Sequence, residues 1–409
     1  KWYLWDTSDW TVIAISQFNA IRNPVCTESM SLVNCDIGGV VSWTFSPDGS
    51  VIAVGASNSL IYIMNVSWML SHSGNTLSGL GAIERVLVFN STSNQWNNGE
   101  LVQLDVNSIS FSPDGSLLAA GEFGALLGNI GIWDTSFTRT GECNFYNSLG
   151  DQECIDGPEV RITERSASLA ELTFSPDGSK LISASGNITG DPYPSSDYEE
   201  FDSTRVQVWN TSDWSLEASL SRQNSSNTTT ARNGIDDFAL SVAVSPDGSL
   251  MAAGFDGDIN ERSLTVWDTT DWSVILNISG FQGPIYSLAF SPDGSVLAAG
   301  SRKGGDGTKM GTGPLLLSTT DWTETYNLSV IERPVYPEPI QYTNHRVLDY
   351  VKFSPDGSTI FASANEAYTD GRIFFWNVDN DWDNWSDLTE LNCGSIPDNN
   401  SDYPLDSDQ

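Results

Sequence analysis

Leu240-Ser241-Val242-Ala243-Val244-Ser245-Pro246-Asp247-Gly248-Ser249-Leu250-Met251-Ala252-Ala253-Gly254 is the stretch that decides the fold. One apolar run enters Ser-Pro-Asp-Gly-Ser and a second leaves it. Pro presets φ at the first central position of a turn, Asp bonds its own backbone, and Gly supplies the positive φ that lets the chain return. The phrase therefore predicts a hairpin corner between two strands. Near-copies begin at Ser46, Ser112, Ser175, Ser291 and Ser354. Each follows an apolar residue: Phe45, Phe111, Phe174, Val244, Phe290 or Phe353. Corners recurring along a chain predict a repeat architecture.

A second phrase alternates with the first. It reads Trp5-Asp6-Thr7-Ser8-Asp9-Trp10, Trp133-Asp134-Thr135-Ser136, Trp209-Asn210-Thr211-Ser212-Asp213-Trp214 and Trp267-Asp268-Thr269-Thr270-Asp271-Trp272. Worn copies are Asn65-Val66-Ser67-Trp68, Ser318-Thr319-Thr320-Asp321-Trp322 and Trp376-Asn377-Val378. Each closes one apolar run, and turn formers lead to the next. The unit is then strand, corner, strand, variable loop, strand, Trp-Asp corner, strand. Residues Ser245 to Ser291 form its shortest copy, and the other copies carry insertions.

This pattern resembles the WD-repeat, or WD40-like, β-propeller family, in an extracellular glycoprotein variant. The motifs carrying the resemblance are the 240–254 stretch and its continuation Leu264-Thr265-Val266-Trp267-Asp268. It implies an all-β propeller of four-stranded antiparallel blades over residues 1–391, with an acidic polar tail at 392–409. The family usually places a Gly-His pair before the first strand; here Gly283-Pro284 stands in that place, and His72 and His345 are the chain's two histidines. The match therefore implies fold more than function. Seven blades are favoured, the seventh a partial one built from the N-terminal hairpin at Trp2–Asp6 and Trp10–Ile15. Six blades are the alternative. An incomplete blade would leave an edge able to accept a strand from a neighbouring molecule.

Charge narrows the partners. Of 409 residues, 18 are Lys or Arg and 53 are Asp or Glu, a net charge of −35. Such a surface repels nucleic-acid phosphates and anionic membranes. No stretch approaches the roughly 20 apolar residues of a membrane helix. Lys1–Asp6 already reads as strand, so the expectation is that a leader has been removed or that upstream sequence is missing. Sequons at Asn65, Asn90, Asn187, Asn210, Asn224, Asn227, Asn277, Asn327, Asn384 and Asn399 are candidate N-glycosylation sites. Cys26 with Cys35, and Cys143 with Cys154, bracket short polar loops and read as disulfide staples of an oxidising compartment. Cys393 is left unpaired, bonded to another chain, or re-paired with Cys26 or Cys35. Together these predict an extracellular protein, secreted or on the cell surface.

Candidate chemistry is sparse. Asp256, Asp258 and Asn260, and again Asp379, Asp381 and Asp383, space oxygen ligands at alternate positions. That spacing suits calcium, the candidate cofactor. The corner aspartates read as turn formers, and the Trp of Trp-Asp as packing between blades. Gly304–Gly311 lacks the spacing of a phosphate loop and opens no helix. No Gly-x-Ser-x-Gly elbow is present and neither His has a triad context. The expectation is a non-enzymatic scaffold that binds other protein chains, self-associating through terminal strands or tail. A carbohydrate- or calcium-dependent ligand-binding propeller is one alternative. A propeller glycoside hydrolase or lyase is the other.

Overall fold

At each Ser-Pro-Asp-Gly-Ser phrase the chain reverses in the same way. Gly49 N–H donates to the Ser46 carbonyl at 2.8 Å, and Ser46 N–H donates to the Val51 carbonyl at 3.0 Å. Gly49 sits at φ +69°, in the left-handed region that costs glycine least. The same two bonds and a positive-φ glycine recur at Gly115, Gly178, Gly248, Gly294 and Gly357. All six corners are the hairpins expected of them.

The computed structural model describes residues 2–5, 12–17, 40–57, 59–71, 76–78, 83–88, 105–123, 128–136, 145–146, 152–153, 155–156, 158–164, 168–186, 204–220, 239–256, 263–279, 281, 283–301, 312–329, 346–366 and 372–377. The chain divides into two compact units, Lys1–Thr189 with Val208–Glu217, and Gly190–Gln207 with Ala218–Gln409.

The first unit opens with β1 (Trp2–Trp5) and β2 (Val12–Gln17). Its first sheet holds β3 (Val40–Phe45), β4 (Val51–Ala56) and β5 (Leu60–Asn65). After helix α1 (Val66–Ser71) and β6 (Thr76–Ser78), β7 (Ile83–Val88) pairs with β5, and Ile155–Asp156 later joins the edge of β7 in parallel. The second sheet holds β8 (Asp105–Phe111), β9 (Leu117–Phe123) and β10 (Gly128–Asp134). The short strands β11 (Phe145–Tyr146), β12 (Gln152–Glu153) and β13 (Ile155–Asp156) precede its outer strand β14 (Val160–Glu164). A third sheet runs β15 (Ser168–Phe174), β16 (Lys180–Gly186), β17 (Thr204–Asn210) and β18 (Leu216–Leu220). The boundary between units passes through its last two strands.

In the second unit one sheet runs β19 (Ala239–Val244), β20 (Leu250–Phe255), β21 (Ser263–Asp268) and β22 (Val274–Ser279). The next runs β23 (Ile285–Phe290), β24 (Val296–Ser301), β25 (Thr312–Ser318) and β26 (Glu324–Ser329). The last described sheet runs β27 (Arg346–Phe353), β28 (Thr359–Glu366) and β29 (Arg372–Asn377). Pairing within each of these sheets is antiparallel between successive strands.

Every first strand carries a bulge at one place, between Val40 and Ser42, Val106 and Ser108, Leu169 and Glu171, Ala239 and Ser241, Ile285 and Ser287, and Leu348 and Tyr350. The residue after the bulge ties one sheet to the next. Ser42 Oγ donates to the Val106 carbonyl at 2.6 Å. Ser108 Oγ accepts from Leu172 N–H at 2.9 Å. In the second unit Ser241 Oγ donates to the Ile285 carbonyl at 3.0 Å, and Ser287 Oγ accepts from Val351 N–H at 3.1 Å.

Much of the core lies between neighbouring sheets. Ala53, Ile61 and Ile63 of the first sheet pack with Val106, Ile109 and Phe111 of the second. Ile130 and Ile132 pack with Leu169, Leu172 and Phe174, and in the second unit Leu264 and Val266 pack with Ile285 and Leu288. Glycines seat the incoming side chains. A Cβ at Gly55 would stand 2.8 Å from Val106 Cγ1, one at Gly121 2.0 Å from Leu169 Cδ2, and one at Gly254 2.6 Å from Ile285 Cγ2.

The two kinds of corner are joined, which their separate reading in the sequence does not anticipate. Thr269 N–H donates to the Ser249 carbonyl and its Oγ1 to the Gly248 carbonyl, at 3.0 and 2.6 Å. Thr135, Thr211 and Thr319 make the same pair of bonds to the neighbouring Gly-Ser. After the Thr, the chain turns through a left-handed tryptophan: Trp214, Trp272 and Trp322 have φ of 58°, 59° and 59°. Their amides donate to Asn210, Asp268 and Ser318 carbonyls.

Asn65-Val66-Ser67-Trp68 departs from this. It closes β5 as expected, but α1 follows where the other copies turn directly into a strand. Asn65 Oδ1 accepts from Trp68 N–H at 2.8 Å, which caps the helix. Met69 is fully buried against Ile52, Val54, Leu60, Tyr62 and Met64. Burying that apolar side chain outweighs the tight turn in this copy.

Candidate functional site

The corner aspartates are spent on structure. Asp48 Oδ1 accepts from Ser46 Oγ at 2.6 Å, from Ser50 N–H at 3.0 Å and from Ser50 Oγ at 2.8 Å. Ser46 Oγ in turn accepts from Val51 N–H at 3.1 Å. The set recurs at Asp114, Asp177, Asp247, Asp293 and Asp356. Those donors, the corner serine hydroxyl first, hold Asp48, Asp114 and Asp356 down at about 2 and lower Asp177 and Asp247. At Asp293 partial burial pulls the other way, and bonds from Ser291 and Ser295 outweigh it. These groups are ionised turn formers, not a proton-transfer set.

One carboxyl breaks the pattern. Glu122, near the end of β9, is completely buried. Asn129 Nδ2 donates to its Oε2 at 3.3 Å, while Oε1 has no hydrogen-bond partner among the described residues. Burial pushes its carboxyl up to about 7; bonds from Ser59 and Asn129 and the Arg161 charge offset this only in part. Ser59 itself holds φ +60° between β4 and β5. Among the described residues Glu122 is the one fully buried carboxylate.

The most exposed apolar surface lies on β3. Val40, Trp43 and Phe45 pair across the ladder with Ala56, Val54 and Ile52, so they share one face of the first sheet. Trp43 is 63% exposed, and its ring meets that of Phe45 edge-on at 5.9 Å. The same position in the other first strands holds Ile109, Leu172, Val242, Leu288 and Val351, none more than 7% exposed. The outer half of this face is covered: Ile52, Val54, Tyr62 and Met64 lie under α1. Among the described residues of this face, Val40, Trp43 and Phe45 along β3 are the exposed large apolar side chains.

The sequence-predicted site residues fall as follows. Asn65 caps α1, and its Nδ2 donates to Glu84 Oε1 at 2.6 Å. Asn210 closes β17 and accepts from Ser212 N–H and Oγ. Asn277 is exposed midway along the outer strand β22, and Asn327 holds the same place in β26. Asp256 follows β20 and is half-buried. Asn90, Asn187, Asn224, Asn227, Asn384 and Asn399 lie outside the described residues, as do Asp258, Asn260, Asp379, Asp381 and Asp383. So do Cys26, Cys35, Cys143, Cys154, Cys393 and the tail. Among the described residues no three His, Cys, Asp or Glu gather to hold a metal, and no helix is long and apolar enough to cross a membrane.

Residues 100–134 and 272–308 match the family described as WD domain, G-beta repeat. No curated protein matches the chain. Among solved structures, the hydrazine synthase of Kuenenia stuttgartiensis aligns with a TM-score of 0.56 at 14% identity, over 86% of this chain and 80% of that one. The β-propeller domain of Myceliophteria thermophila Cps50 (Swd1) aligns with a TM-score of 0.52 at 13% identity, over 87% of each. The fold is a β-propeller. Its sheets are blades, and β3, β8, β15, β19, β23 and β27 are their inner strands. As many as 1455 chains of solved structures match, so the likeness identifies an architecture and not a task.

Proposed function

We propose that this propeller is a non-enzymatic extracellular scaffold, an N-glycosylated subunit of a larger protein assembly. The observation that carries the reading is Trp43. Five blades bury an aliphatic residue at that position, and the first blade presents an indole beside Phe45 and Val40. A contiguous apolar strip with exposed aromatic rings is the signature of a protein interface. WD-type repeats supply the rigid frame, on which loops and edges are free to vary. The net charge of −35 keeps the surface soluble and points to protein partners rather than nucleic acid or an anionic membrane. Sequons on the outer strands β22 and β26, at Asn277 and Asn327, would place glycans where unpaired edges otherwise invite strand addition. Cys26 with Cys35 and Cys143 with Cys154 would staple loops, leaving Cys393 for a further chain.

The test is secretion of the full chain from glycosylating cells. Peptide mass mapping before and after deglycosylation reads sequon occupancy, and sedimentation across a concentration series reads association. Occupied sequons and a concentration-dependent oligomer are expected. A bare chain that stays monomeric throughout and captures no partner through the Trp43 strip would sink the proposal.

A further inference from the structure

We propose that Glu122 makes the seam between the first and second blades a proton-operated latch. The seam stays shut around the neutral carboxyl and opens to water beside Ser59 when the carboxyl ionises. This device does not depend on the scaffold reading.

The placement of Glu122 carries the proposal. Leu118 and Ala120 of β9 pack with Ala53, Ile61 and Ile63 of the first blade. Glu122 continues that row at the next alternate position, so its side chain leaves β9 toward the first blade. It pairs across the ladder with Val106 on one side and Asn129 on the other, and it is completely buried. The matching places in the other second strands hold Ala56, Ser185, Phe255, Ser301 and Ala364, so a carboxyl here is particular to this seam. A buried carboxyl is tolerated while neutral and costly once charged, unless its oxygens are all paired. Oε1 has no hydrogen-bond partner among the described residues.

The groups around it do not neutralise the charge. Ser59 of the first blade and Asn129 of the second supply neutral donors. Arg161 of β14 is the charge that bears on the carboxyl, and with those donors it offsets burial only in part. By strand alternation Arg85 of β7 and Glu159 ahead of β14 share the seam side, while Glu84 of β7 and Asp105 of β8 belong to the opposite faces. Tyr62 of β5 packs away from the seam, under α1.

The surroundings make the opening local. Ser59 holds φ +60°, a strained conformation that persists only while its contacts hold it. Two other ties between the same blades carry no titratable group in their bonds. Ser42 Oγ donates to the Val106 carbonyl at the inner strands, and β13 pairs with Val86 and Leu87 of β7 at the outer rim. They keep the blades together when the contact at Ser59 parts.

Thiol trapping tests this on the full chain. Ala120→Cys places a thiol in the seam beside Glu122, and Ala253→Cys places one at the matching, equally buried position of β20, where Phe255 stands in place of the carboxyl. Each is labelled with a dithiopyridine reagent, with and without Glu122→Gln, and the modified cysteine is read by peptide mass mapping. The ratio of rates with and without Glu122→Gln cancels the thiol's own response to pH. At Ala120→Cys that ratio should rise on the order of a hundredfold from about pH 4 to about pH 7, as the carboxyl passes from an ordinary 4.5 when open to about 7 when shut. At Ala253→Cys it should stay flat. A flat ratio at Ala120→Cys overturns the proposal. An equal rise at both positions also overturns it, because the whole chain and not the seam then opens. Should Ala120→Cys fail to fold, Ala53→Cys reads the same seam from the first blade. A carboxyl-carbon titration of the parent chain, with the Glu122 signal assigned by its loss in Glu122→Gln, should have its midpoint near 7. A midpoint in the ordinary carboxylate range overturns the latch as well.

Discussion

Replacing Gly121 with alanine forces a methyl to within 2.0 Å of Leu169 Cδ2 and 3.0 Å of Cγ, while Leu169 Cβ stands off at 3.4 Å. Leu169 is fully buried between the second and third blades, so it has little room to withdraw. Overpacking of this kind costs about 1–3 kcal/mol. Leu169→Ala alone leaves a cavity and costs about 2–5 kcal/mol. Together the two changes should cost no more than Leu169→Ala by itself. The clashing atoms are gone, the remaining Cβ sits at ordinary contact distance, and the new methyl fills part of the void for about 0.8 kcal/mol. The double mutant is thus expected to be about 1–3 kcal/mol more stable than the sum of the singles, the range that touching residues show. Gly55 provides the contrast. A methyl there meets the Val106 carbonyl oxygen at 2.8 Å as well as Val106 Cγ1. Val106→Ala removes the side-chain clash and leaves the backbone one, so Gly55→Ala with Val106→Ala should remain close to additive. Urea midpoints of the four singles and two doubles, compared at a common denaturant slope, decide the matter. Additivity at the 121–169 pair, or Gly121→Ala within about 0.5 kcal/mol of the parent, refutes the claim that these glycines exist to seat the next blade.

Further outcomes follow from the corners and from Glu122. Glu122 is held at about 7 when folded against an ordinary 4.5, so folding takes up a proton between those values. Stability should fall by about 3 kcal/mol as pH rises through that window, and Glu122→Gln should flatten the fall in thermal melts run from pH 4 to 8. Asp48, Asp114 and Asp356 are depressed to about 2 from 3.8, so their stabilisation is whole above pH 4 and is lost as pH drops towards 2. Asn replacements should shrink that acid limb. Thr269→Val removes the Oγ1 bond to the Gly248 carbonyl and should cost about 1–3 kcal/mol by denaturant unfolding, with Thr269→Ser close to the parent. Trp272 holds φ 59°, so Trp272→Gly should be about 1 kcal/mol less damaging than Trp272→Ala, reversing the usual order of those residues.

What was legible in the chain is what local chemistry dictates. Pro, Asp and Gly in sequence admit few backbone paths, so all six hairpins could be placed without a structure. The recurrent Thr of the second phrase was visible too, as Thr135, Thr211, Thr269 and Thr319, but its task was not. It clamps a carbonyl two strands away, and only register brings that carbonyl within reach. The serines four places before four of the six corners, Ser42, Ser108, Ser241 and Ser287, carried a signal of the same kind. Their role depends on a bulge that turns the hydroxyl toward the next blade. Glu122 could have been suspected, because Leu117-Leu118-Ala119-Ala120-Gly121 runs apolar into it where other repeats continue with Ala56 or Phe255. The helix at Val66–Ser71 was obscured by reading Asn65 as a worn turn rather than as a cap.

In a chain of repeats the shared residues explain the frame, and the departures from them are where a task has room to act. By that logic the corner aspartates, six times alike and each saturated by its own serines, are poor candidates for chemistry despite their charge. The first blade differs at three linked points. A helix replaces its outer corner, Trp43 replaces an aliphatic residue, and Val40 is exposed where Val106, Leu169 and Ile285 are buried. Each alone is an irregularity. Together they leave an apolar strip along β3 exposed. Independent drift would not be expected to align three departures on the same surface. A protein partner seated on β3 accounts for all of them at once, and Trp43 is the side chain on which that account depends.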